Sequence, residues 1–256
     1  MPAPQNAFKR QLASGQRSIG CWMCLCDPYV AEIVARAGFD WVLIDGEHAP
    51  NDLVTITRQL QVVDPHCAPL VRLPMAEPWL IKQVLDAGAQ NLLIPMVNST
   101  DDARAIVRAM RYPPQGIRGV GHALGRASRF GAEADYARNA NDELCLIVQI
   151  ESVAATEALD DILAVEGVDA AFIGPADLAA DMGLTPDAAE AQALVATTLR
   201  RIAEAGKPAG IIDFADSAID AHFENGAQFV AVAADVLFLS RGLRGLASKW
   251  TGKLRP

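Results

Sequence analysis

The stretch Phe172-Ile173-Gly174-Pro175-Ala176-Asp177-Leu178 joins a short apolar run to the start of a helix. Residues 170–173 have the composition of a buried parallel strand, which Gly174-Pro175 then ends. A strand that leads directly into a helix leaves backbone N–H groups pointing at one place, which is an anion site by geometry. Asp177 adds a carboxylate there, which would repel an anion unless a cation lay between them. The stretch therefore predicts a metal ion with an acidic ligand. An isolated motif of this kind would instead favour Asp177 as a helix cap.

The composition is that of a globular protein with a large core. The chain has 256 residues, 51% hydrophobic and 21% charged, enough for one large domain or two small ones. A net charge of −9 argues against nucleic acid and anionic membranes as partners. No apolar run approaches the ~18–20 residues of a membrane span, and residues 1–20 lack the apolar core of a signal peptide. We therefore expect a cytoplasmic protein.

The cysteines do not predict a disulfide framework. There are five of them, an odd number in a chain of this length. Cys21, Cys24 and Cys26 have the spacing of half a zinc site, but no second Cys or His pair follows to complete four ligands. We interpret them as small apolar residues of the first strand.

Strand-like and helical patterns alternate along the whole chain. The eight strand-like runs are 18–25, 40–45, 68–73, 91–97, 144–150, 170–173, 208–212 and 229–234. A glycine that can take a left-handed conformation precedes every second run, at Gly38, Gly88, Gly167 and Gly226. Eight such units predict a single-domain (β/α)₈ TIM barrel over residues 1–256. A doubly wound sheet is the alternative, but no dinucleotide fingerprint opens the first unit.

One connection is longer than a barrel needs. About thirty residues separate a helix ending near Tyr112 from the strand near Leu144. The connection begins with a glycine-rich segment, 116–121, and Arg126 and Arg129 follow. It predicts a basic lid over an acidic substrate, with an ordinary solvated loop as the alternative.

Polar residues stand where several strands end, which is where such barrels carry their chemistry. They are Asp45, Glu47 and His48 after the second strand, Arg72 on the third, Gln149 and Glu151 on the fifth and Asp177 after the sixth. A histidine that follows an acid at a strand end is a candidate general base.

Glu151 and Asp177 are the candidate metal ligands. Two carboxylates with an amide nearby, at Gln149, leave positions for water and substrate, which suits Mg²⁺, Mn²⁺ or Co²⁺ better than a closed zinc site. The alternative is a pair of surface acids. We expect no organic cofactor.

Several segments of the chain form a recognisable set, namely residues 45–50 (DGEHAP), Arg72, 111–114 (RYPP), 116–121 (GIRGVG), 149–151 (QIE) and 174–178 (GPADL). Together they resemble the HpcH/HpaI family of class II, metal-dependent 2-oxo-acid aldolases. The resemblance covers nearly the whole chain, and it implies reversible carbon–carbon bond cleavage between pyruvate or hydroxypyruvate and an aldehyde. It also implies a homo-oligomer, a hexamer, that serves the breakdown of aromatic compounds or sugar acids.

The resemblance implies a substrate site around the metal. Glu151 and Asp177 would hold the divalent ion, to which pyruvate binds through its carboxylate and oxo group. Gln149 and the backbone of Gly174, Ala176 and Asp177 would bind the same molecule.

The resemblance also implies four catalytic residues. His48, oriented by Asp45, would be the base, acting through a water, and Arg72 would stabilise the enolate oxygen. Asp86 would raise the basicity of the histidine. Because Asp86 lies in the last turn of a helix that runs towards the opposite face, it would have to act on a neighbouring subunit.

Two positions depart from the family pattern. Relatives usually carry a small or apolar residue in place of Asp213 and often a smaller one in place of His122. At the end of the seventh strand, Asp213 predicts a preference for hydroxylated partners. Arg126, in the basic connection, is the remaining predicted substrate residue.

Other functions remain open from the sequence. An acyl-coenzyme A lyase of the same superfamily would need a long pocket with a basic rim, and a non-catalytic oxo-acid sensor would need no base. A Schiff-base aldolase would need a lysine at a strand end, and no lysine is predicted there.

Overall fold

A computed structural model describes residues 1–254 of the chain. Its eight strands form a closed barrel in which each strand pairs in parallel with the next and β8 pairs with β1. The strands are β1 (Ser18–Met23), β2 (Trp41–Asp45), β3 (Ala68–Arg72), β4 (Asn91–Ile94), β5 (Cys145–Ile150), β6 (Ala170–Ile173), β7 (Ala209–Ile212) and β8 (Ala227–Ala234). The predicted (β/α)₈ TIM barrel is confirmed. The prediction of one domain over residues 1–256 also includes 255–256, which lie outside the described residues.

The helices lie around the outside of the barrel, except for α1, which precedes β1 and lies at the floor. They are α1 (Ala7–Ala13), α2 (Pro28–Ala35), α3 (Leu53–Val63), α4 (Pro78–Asp86), α5 (Thr100–Met110), α6 (Tyr136–Asn139), α7 (Val153–Glu157), α8 (Leu159–Leu163), α9 (Pro175–Asp181), α10 (Ala189–Glu204), α11 (Asp216–Glu224) and α12 (Asp235–Leu254). Short 3₁₀ turns lie at His122–Leu124, Arg126–Ser128 and Ala140–Glu143.

The glycines chosen from the sequence do have left-handed backbones. The φ angles of Gly38, Gly88, Gly167 and Gly226 are +100°, +105°, +103° and +97°. Each glycine lies between a helix and the strand after it, where residues with a side chain are strained.

Three strands end earlier than predicted. The third ends at Arg72 rather than residue 73, and in the first and the fourth, backbone N–H groups beyond the strand bind side chains instead. The first run ends at Met23 rather than Leu25, since the N–H groups of Cys24 and Leu25 donate to the Asp235 carboxylate at 2.8 and 3.2 Å. The fourth ends at Ile94 rather than residue 97. There Met96 adopts a φ of +55° and donates its N–H to Glu151.

The floor of the barrel is closed by the N-terminal helix. Phe8 of α1 is buried against the rings of Trp41 and Phe229 inside the barrel. Nδ2 of Asn6, the N-cap of α1, donates to Oδ1 of Asn91 at the start of β4, at 2.8 Å. The interior is therefore packed from the N-terminal ends of the strands, and the space for a ligand lies at their carboxyl ends.

The long connection between α5 and β5 packs at the floor end as well. A buried cluster joins Ala3, near the N-terminus, to Tyr112, Ala127 and Tyr136 of the connection. The predicted lid therefore does not cover the carboxyl ends of the strands within a single chain.

The last helix, α12, leaves an apolar face uncovered. Its first turn is tied to the barrel through Asp235 and Leu237. Beyond it an exposed stripe recurs every three or four residues, at Leu239, Leu243, Leu246 and Trp250. In residues 1–254, no helix combines the length and the apolar character that a bilayer span requires.

Gly210→Ala should destabilise the protein by about 1–3 kcal/mol through overpacking. The added methyl group would overlap the rings of Phe172 and Phe229 inside the barrel. Urea unfolding followed by tryptophan fluorescence measures the change. At Gly121 an added Cβ meets nothing within 4 Å, so Gly121→Ala is the control, with an expected change below about 0.5 kcal/mol. Equal free energies of unfolding for the two variants would contradict the prediction.

Candidate active site

The carboxyl ends of the strands bring most of the predicted site residues to one cavity. The cavity has a volume of about 700 Å³. Its lining includes His48, Arg72, Gln149, Gly174, Ala176, Asp177 and Asp213. Asp45 and Glu151 lie behind this lining, buried and in contact with Arg72 and Gln149.

The guanidinium group of Arg72 is held by two carboxylates and an indole ring. Its Nε and Nη2 donate to Oδ1 and Oδ2 of Asp45 at 2.9 and 2.7 Å. Nη1 lies 2.8 Å from Oε2 of Glu47. The guanidinium carbon is 5.0 Å from the ring centroid of Trp22, whose Nε1 donates to Asp45 at 3.2 Å. Bidentate pairing fixes the orientation of both partners, so Arg72 presents a positive charge to the cavity at a defined position.

The Asp45 carboxylate does not bind the His48 ring. It accepts the backbone N–H groups of Glu47 and His48 at 3.0 and 3.4 Å. Nε2 of His48 lies 3.9 Å from Oε2 of Glu47, beyond hydrogen-bond distance, and the side chain is 66% exposed. The expectation that Asp45 orients the imidazole is therefore corrected. In the described chain Asp45 orients Arg72, and the imidazole has no carboxylate within hydrogen-bond distance.

Asp45 also carries a perturbed pKa. Burial acts to raise its pKa, but hydrogen bonds and charge from Arg72 outweigh burial and hold that pKa below its usual value. A carboxyl group with a depressed folded-state pKa stabilises the fold fully above its unfolded pKa. It loses that contribution as the pH falls through the folded value.

Asp45→Asn should lower the free energy of unfolding at pH 7 by about 3 kcal/mol, because it weakens the pairing of a buried charge at Arg72. The difference from the unaltered protein should persist above the unfolded pKa of about 3.9 and shrink as the pH falls below it. Urea unfolding at pH 7 and at acidic pH measures both effects.

The control for this substitution is Asp101→Asn, since the Asp101 side chain is 92% exposed and should contribute less than about 0.5 kcal/mol. A difference between the Asp45 variant and the unaltered protein that stays constant on acidification would contradict the depressed pKa.

Glu151 and Gln149 form a cluster of side-chain oxygens beside Asp177, and one of these oxygens lacks a hydrogen-bond partner. Oε1 of Glu151 accepts the backbone N–H of Met96 at 2.7 Å, and its Oε2 accepts Nε2–H of Gln149. Oε1 of Gln149 is buried and has no hydrogen-bond partner in the described part of the chain. The absence of a side chain at Gly174 leaves space next to this cluster, because a Cβ there would lie 2.7 Å from Oε2 of Glu151.

These residues fit a divalent metal ion. Burial raises the pKa of Glu151, and the negative charge of Asp177 raises it further. A cation between the two carboxylates would relieve both effects, and oxygen-only donors suit Mg²⁺, Mn²⁺ or Co²⁺. The capping alternative for Asp177 fails, since Gly174 is the N-cap of α9 and the cap has no side-chain hydrogen bond.

The cysteines near β1 do not form a metal site. Within residues 1–254 no group of three or more His, Cys, Asp or Glu side chains is arranged to hold a metal ion. Burial raises the pKa of Cys21 and of Cys24 to about 12, so both are thiols at neutral pH.

Asp86 and Arg126 lie away from the cavity, at the floor end of the barrel. Oδ1 of Asp86 accepts from Nη2 of Arg118 at 2.6 Å, and Arg118 is fully buried against the ring of Tyr112. Arg126 donates to the carbonyl of Ala87 at 3.2 Å and lies 3.3 Å from Asp64. Within one chain neither side chain joins the other predicted site residues.

Three contributors escaped the sequence analysis, namely Trp22, Met96 and His222. The inward direction of Trp22 could have been predicted from its position near the end of β1, because side chains alternate between the two faces of a strand. Met96 acts through its backbone, which leaves no signal in residue type. His222 lies on α11, and its Nε2 is 2.9 Å from Oδ2 of Asp213, a contact that only the folded β7–α11 unit creates.

Comparison with known proteins agrees with this geometry. A family model described as HpcH/HpaI aldolase/citrate lyase matches residues 18–241. A hydroxypyruvate/pyruvate aldolase from Roseovarius nubinhibens is 56% identical over 98% of both chains. A 4-hydroxy-2-oxo-heptane-1,7-dioate aldolase from Klebsiella pneumoniae is 50% identical over 96% of this chain and 94% of its own. The crystal structure of an HpcH/HpaI aldolase/citrate lyase family protein from Burkholderia cenocepacia superposes with a TM-score of 0.91 at 37% identity, covering 96% of this chain and 99% of that one.

The barrel, the polar rim and these relatives together define a carbon–carbon lyase. The chain belongs to the HpcH/HpaI aldolase/citrate lyase family. The predicted family, fold and enzyme class are confirmed, and the non-catalytic sensor is rejected.

Proposed function

We propose that this protein is a class II aldolase that joins pyruvate or hydroxypyruvate to an aldehyde, or cleaves the resulting 4-hydroxy-2-oxo acid. One observation carries the proposal. A guanidinium group fixed by Asp45 and Glu47 faces the same cavity as an acid–amide cluster with an unsatisfied oxygen. Relatives about half identical in sequence are named as aldolases of such oxo acids.

The metal centre would be held by Glu151 and Asp177, with Mg²⁺, Mn²⁺ or Co²⁺ as the ion and no organic cofactor. When bound, the ion would act as a Lewis acid on the oxo group of the donor. Gln149 and the backbone around Gly174, Ala176 and Asp177 would hold the carboxylate end of the oxo acid.

The protein's side chains would move the proton and stabilise the charge. His48, acting through a water, would take a proton from the carbon next to the oxo group, and Arg72 would stabilise the enolate oxygen. The enolate carbon would then attack the carbonyl carbon of the aldehyde, whose oxygen would take the proton back. Because Asp45 and Glu47 hold Arg72 in place beforehand, little reorganisation is needed as the charge develops.

The exposed His48 ring supports a site completed by a second subunit. It has no carboxylate within hydrogen-bond distance in its own described chain, whereas Asp86 is 27% exposed and held by Arg118 at the far face. We propose that Asp86 of one subunit hydrogen-bonds His48 of its neighbour and raises its basicity. Arg126, at the same face, would reach the neighbouring site in the same way.

A homo-oligomer also accounts for α12. Its exposed stripe from Leu239 to Trp250 is of the kind that is buried between subunits, and a second copy is its proposed occupant. A hexamer and a role in the breakdown of aromatic compounds or sugar acids complete the proposal and rest on the family resemblance. The cytoplasmic location expected from the sequence also remains a proposal.

The acyl-coenzyme A alternative finds less support. Of the residues that line the cavity in the described chain, Arg72 is the one Lys or Arg, and Asp45 and Glu47 already pair with it. A basic rim for the phosphates of a long cofactor is therefore missing from this part of the molecule. The same lining holds no lysine for a Schiff base.

Turnover should depend on a divalent metal. EDTA should abolish exchange of the pyruvate methyl protons with D₂O, measured by NMR without an aldehyde, and Mn²⁺, Co²⁺ or Mg²⁺ should restore it. Glu151→Gln should weaken metal binding, measured by calorimetry, because it removes one of two charged ligands. Glu166→Gln, at a side chain that is 96% exposed, is the control. Full exchange in exhaustively chelated enzyme would contradict the metal centre.

Hybrids of two damaged subunits should regain activity. We expect His48→Ala and Asp86→Ala subunits, dissociated and reassembled together, to exceed either parent in aldol cleavage, because some sites then receive both groups intact. Mixing His48→Ala with Arg72→Ala is the control. Those two residues serve the same chain's site, so no intact site can form. Equal activity in the two mixtures would contradict the sharing of sites.

A further inference from the structure

Arg118, in the connection between α5 and β5, has a fully buried and rigidly held side chain. Its side-chain exposure is 0%. Nη2 donates to Oδ1 of Asp86 at 2.6 Å, and the guanidinium carbon lies 4.4 Å from the ring centroid of Tyr112. The backbone N–H of Arg118 donates to the carbonyl of Arg111 at 2.9 Å. A planar group that is paired at one edge and stacked on one face has a defined orientation.

The burial of this guanidinium group adds little to the stability of the fold. Nε and Nη1 of Arg118 are buried and have no partner at normal hydrogen-bond distance in residues 1–254. Two unpaired donors on a buried cation increase the cost of taking it out of water. A buried ion pair with such gaps is weak evidence of a stabilising contact. Stability alone therefore does not explain why Arg118 binds Asp86.

Asp86 is the last residue of α4, which is an unfavourable place for a carboxylate. The carbonyl groups at the C-terminal end of a helix carry partial negative charge, which repels an acidic side chain. The last turn of α4 contains no basic residue. The compensating positive charge comes from Arg118, which lies 32 residues further along the chain. The contact with Arg118 therefore determines where the Asp86 carboxylate points.

The same contact leaves one oxygen of Asp86 free. Oδ1 binds Arg118, whereas Oδ2 accepts no hydrogen bond within residues 1–254, and the side chain is 27% exposed. Gly125 also lies close to Asp86, because a Cβ at Gly125 would be 3.0 Å from the carbonyl oxygen of Asp86 and 3.5 Å from its Cβ. The connection thus holds Asp86 at two points and leaves Oδ2 as an acceptor for another molecule.

We propose that Arg118 is a positioning residue for the active site of the partner subunit, where it acts through Asp86. This rests on the proposed aldolase function and on the proposed contact of Asp86 with His48 of the partner subunit. Arg118 fixes Oδ1, so Oδ2 accepts the imidazole N–H in one orientation. Proton transfer needs a defined distance and angle, and a misplacement of about 1 Å can cost about 100-fold in rate.

A double-mutant cycle tests whether Arg118 acts through Asp86. Arg118→Met should lower kcat for exchange of the pyruvate methyl protons with D₂O about 10- to 100-fold. It should leave the KM for pyruvate within about twofold, because the residues that bind the donor belong to the partner subunit's barrel. In an Asp86→Ala background the same substitution should change kcat less than about twofold. No loss from Arg118→Met, or equal fold losses in the two backgrounds, would overturn the proposal.

Subunit mixing tests in which active site Arg118 acts. Reassembled Arg118→Met and His48→Ala subunits should exceed either parent, because the first supplies an intact barrel and the second an intact Asp86–Arg118 pair. Arg118→Met mixed with Asp86→Ala should not, since every pair is then damaged. Recovery in the second mixture, or in neither, would overturn the proposal.

Arg201→Met is the matched control for the cycle. Arg201 is half-buried and also binds an aspartate, since its Nη2 lies 3.1 Å from Oδ2 of Asp160 on the outside of the barrel. Arg201→Met should leave kcat within about twofold in both backgrounds.

Failure of this proposal differs from failure of the function on which it rests. Absence of methyl exchange in the unaltered, metal-loaded enzyme would overturn the aldolase function. Normal recovery in the His48→Ala and Asp86→Ala mixture, with equal losses from Arg118→Met in both backgrounds, would overturn the role of Arg118 alone. If Arg118→Met unfolds in thermal melts, Arg118→Lys decides, because it keeps the charge without the planar group. Its smaller loss of kcat should vanish in the Asp86→Ala background. A loss that persists there, or no loss in either background, would overturn the proposal.

Discussion

The candidate active site depends on the burial of one positive charge. Taking the guanidinium group of Arg72 out of water is costly unless it is paired and fully hydrogen-bonded. Asp45 and Glu47 meet that demand from the end of β2, and Trp22 meets it from β1. Two of these partners are fixed in turn, Asp45 by backbone N–H groups and Trp22 by its hydrogen bond to Asp45. The result is a positive group held in one position at the cavity, which suits the proposed stabilisation of negative charge on a bound molecule.

The fold was predictable because its signals are local. Short apolar runs such as Ala170–Ile173 and left-handed glycines such as Gly38 recur along the chain. The conformation of each is determined by a few neighbouring residues. Once the barrel is established, the position of its strand ends places His48, Arg72, Gln149 and Asp177 at one mouth. Strand ends were less predictable. The chain leaves the ladder at Cys24 because a carboxylate far along the sequence, Asp235, captures its N–H.

The remaining parts of the site are set by tertiary contacts that residue type does not encode. Asp45 stands three residues before His48, a spacing that indicates a dyad, yet the stronger bidentate demand of Arg72 takes both of its oxygens. Asp213 was predicted to meet a substrate directly. It lines the cavity, but His222 lies 2.9 Å from one of its oxygens, a contact that the sequence does not indicate. The role of Asp86 depends on a neighbouring molecule, and the sequence of one chain describes only one side of such a contact.

The helix that closes the barrel floor affects the order in which the two reactants can bind. Because Phe8 packs against Trp41 and Phe229, the barrel interior is closed at its floor. Both reactants must then enter through the opening at the carboxyl ends of the strands. In the proposed arrangement the oxo acid binds beside the buried Gln149 and Glu151, so an aldehyde that enters through the same opening lies over it. The oxo acid must then bind before the aldehyde. The aldehyde therefore shields the reactive enolate from solvent until the new bond has formed.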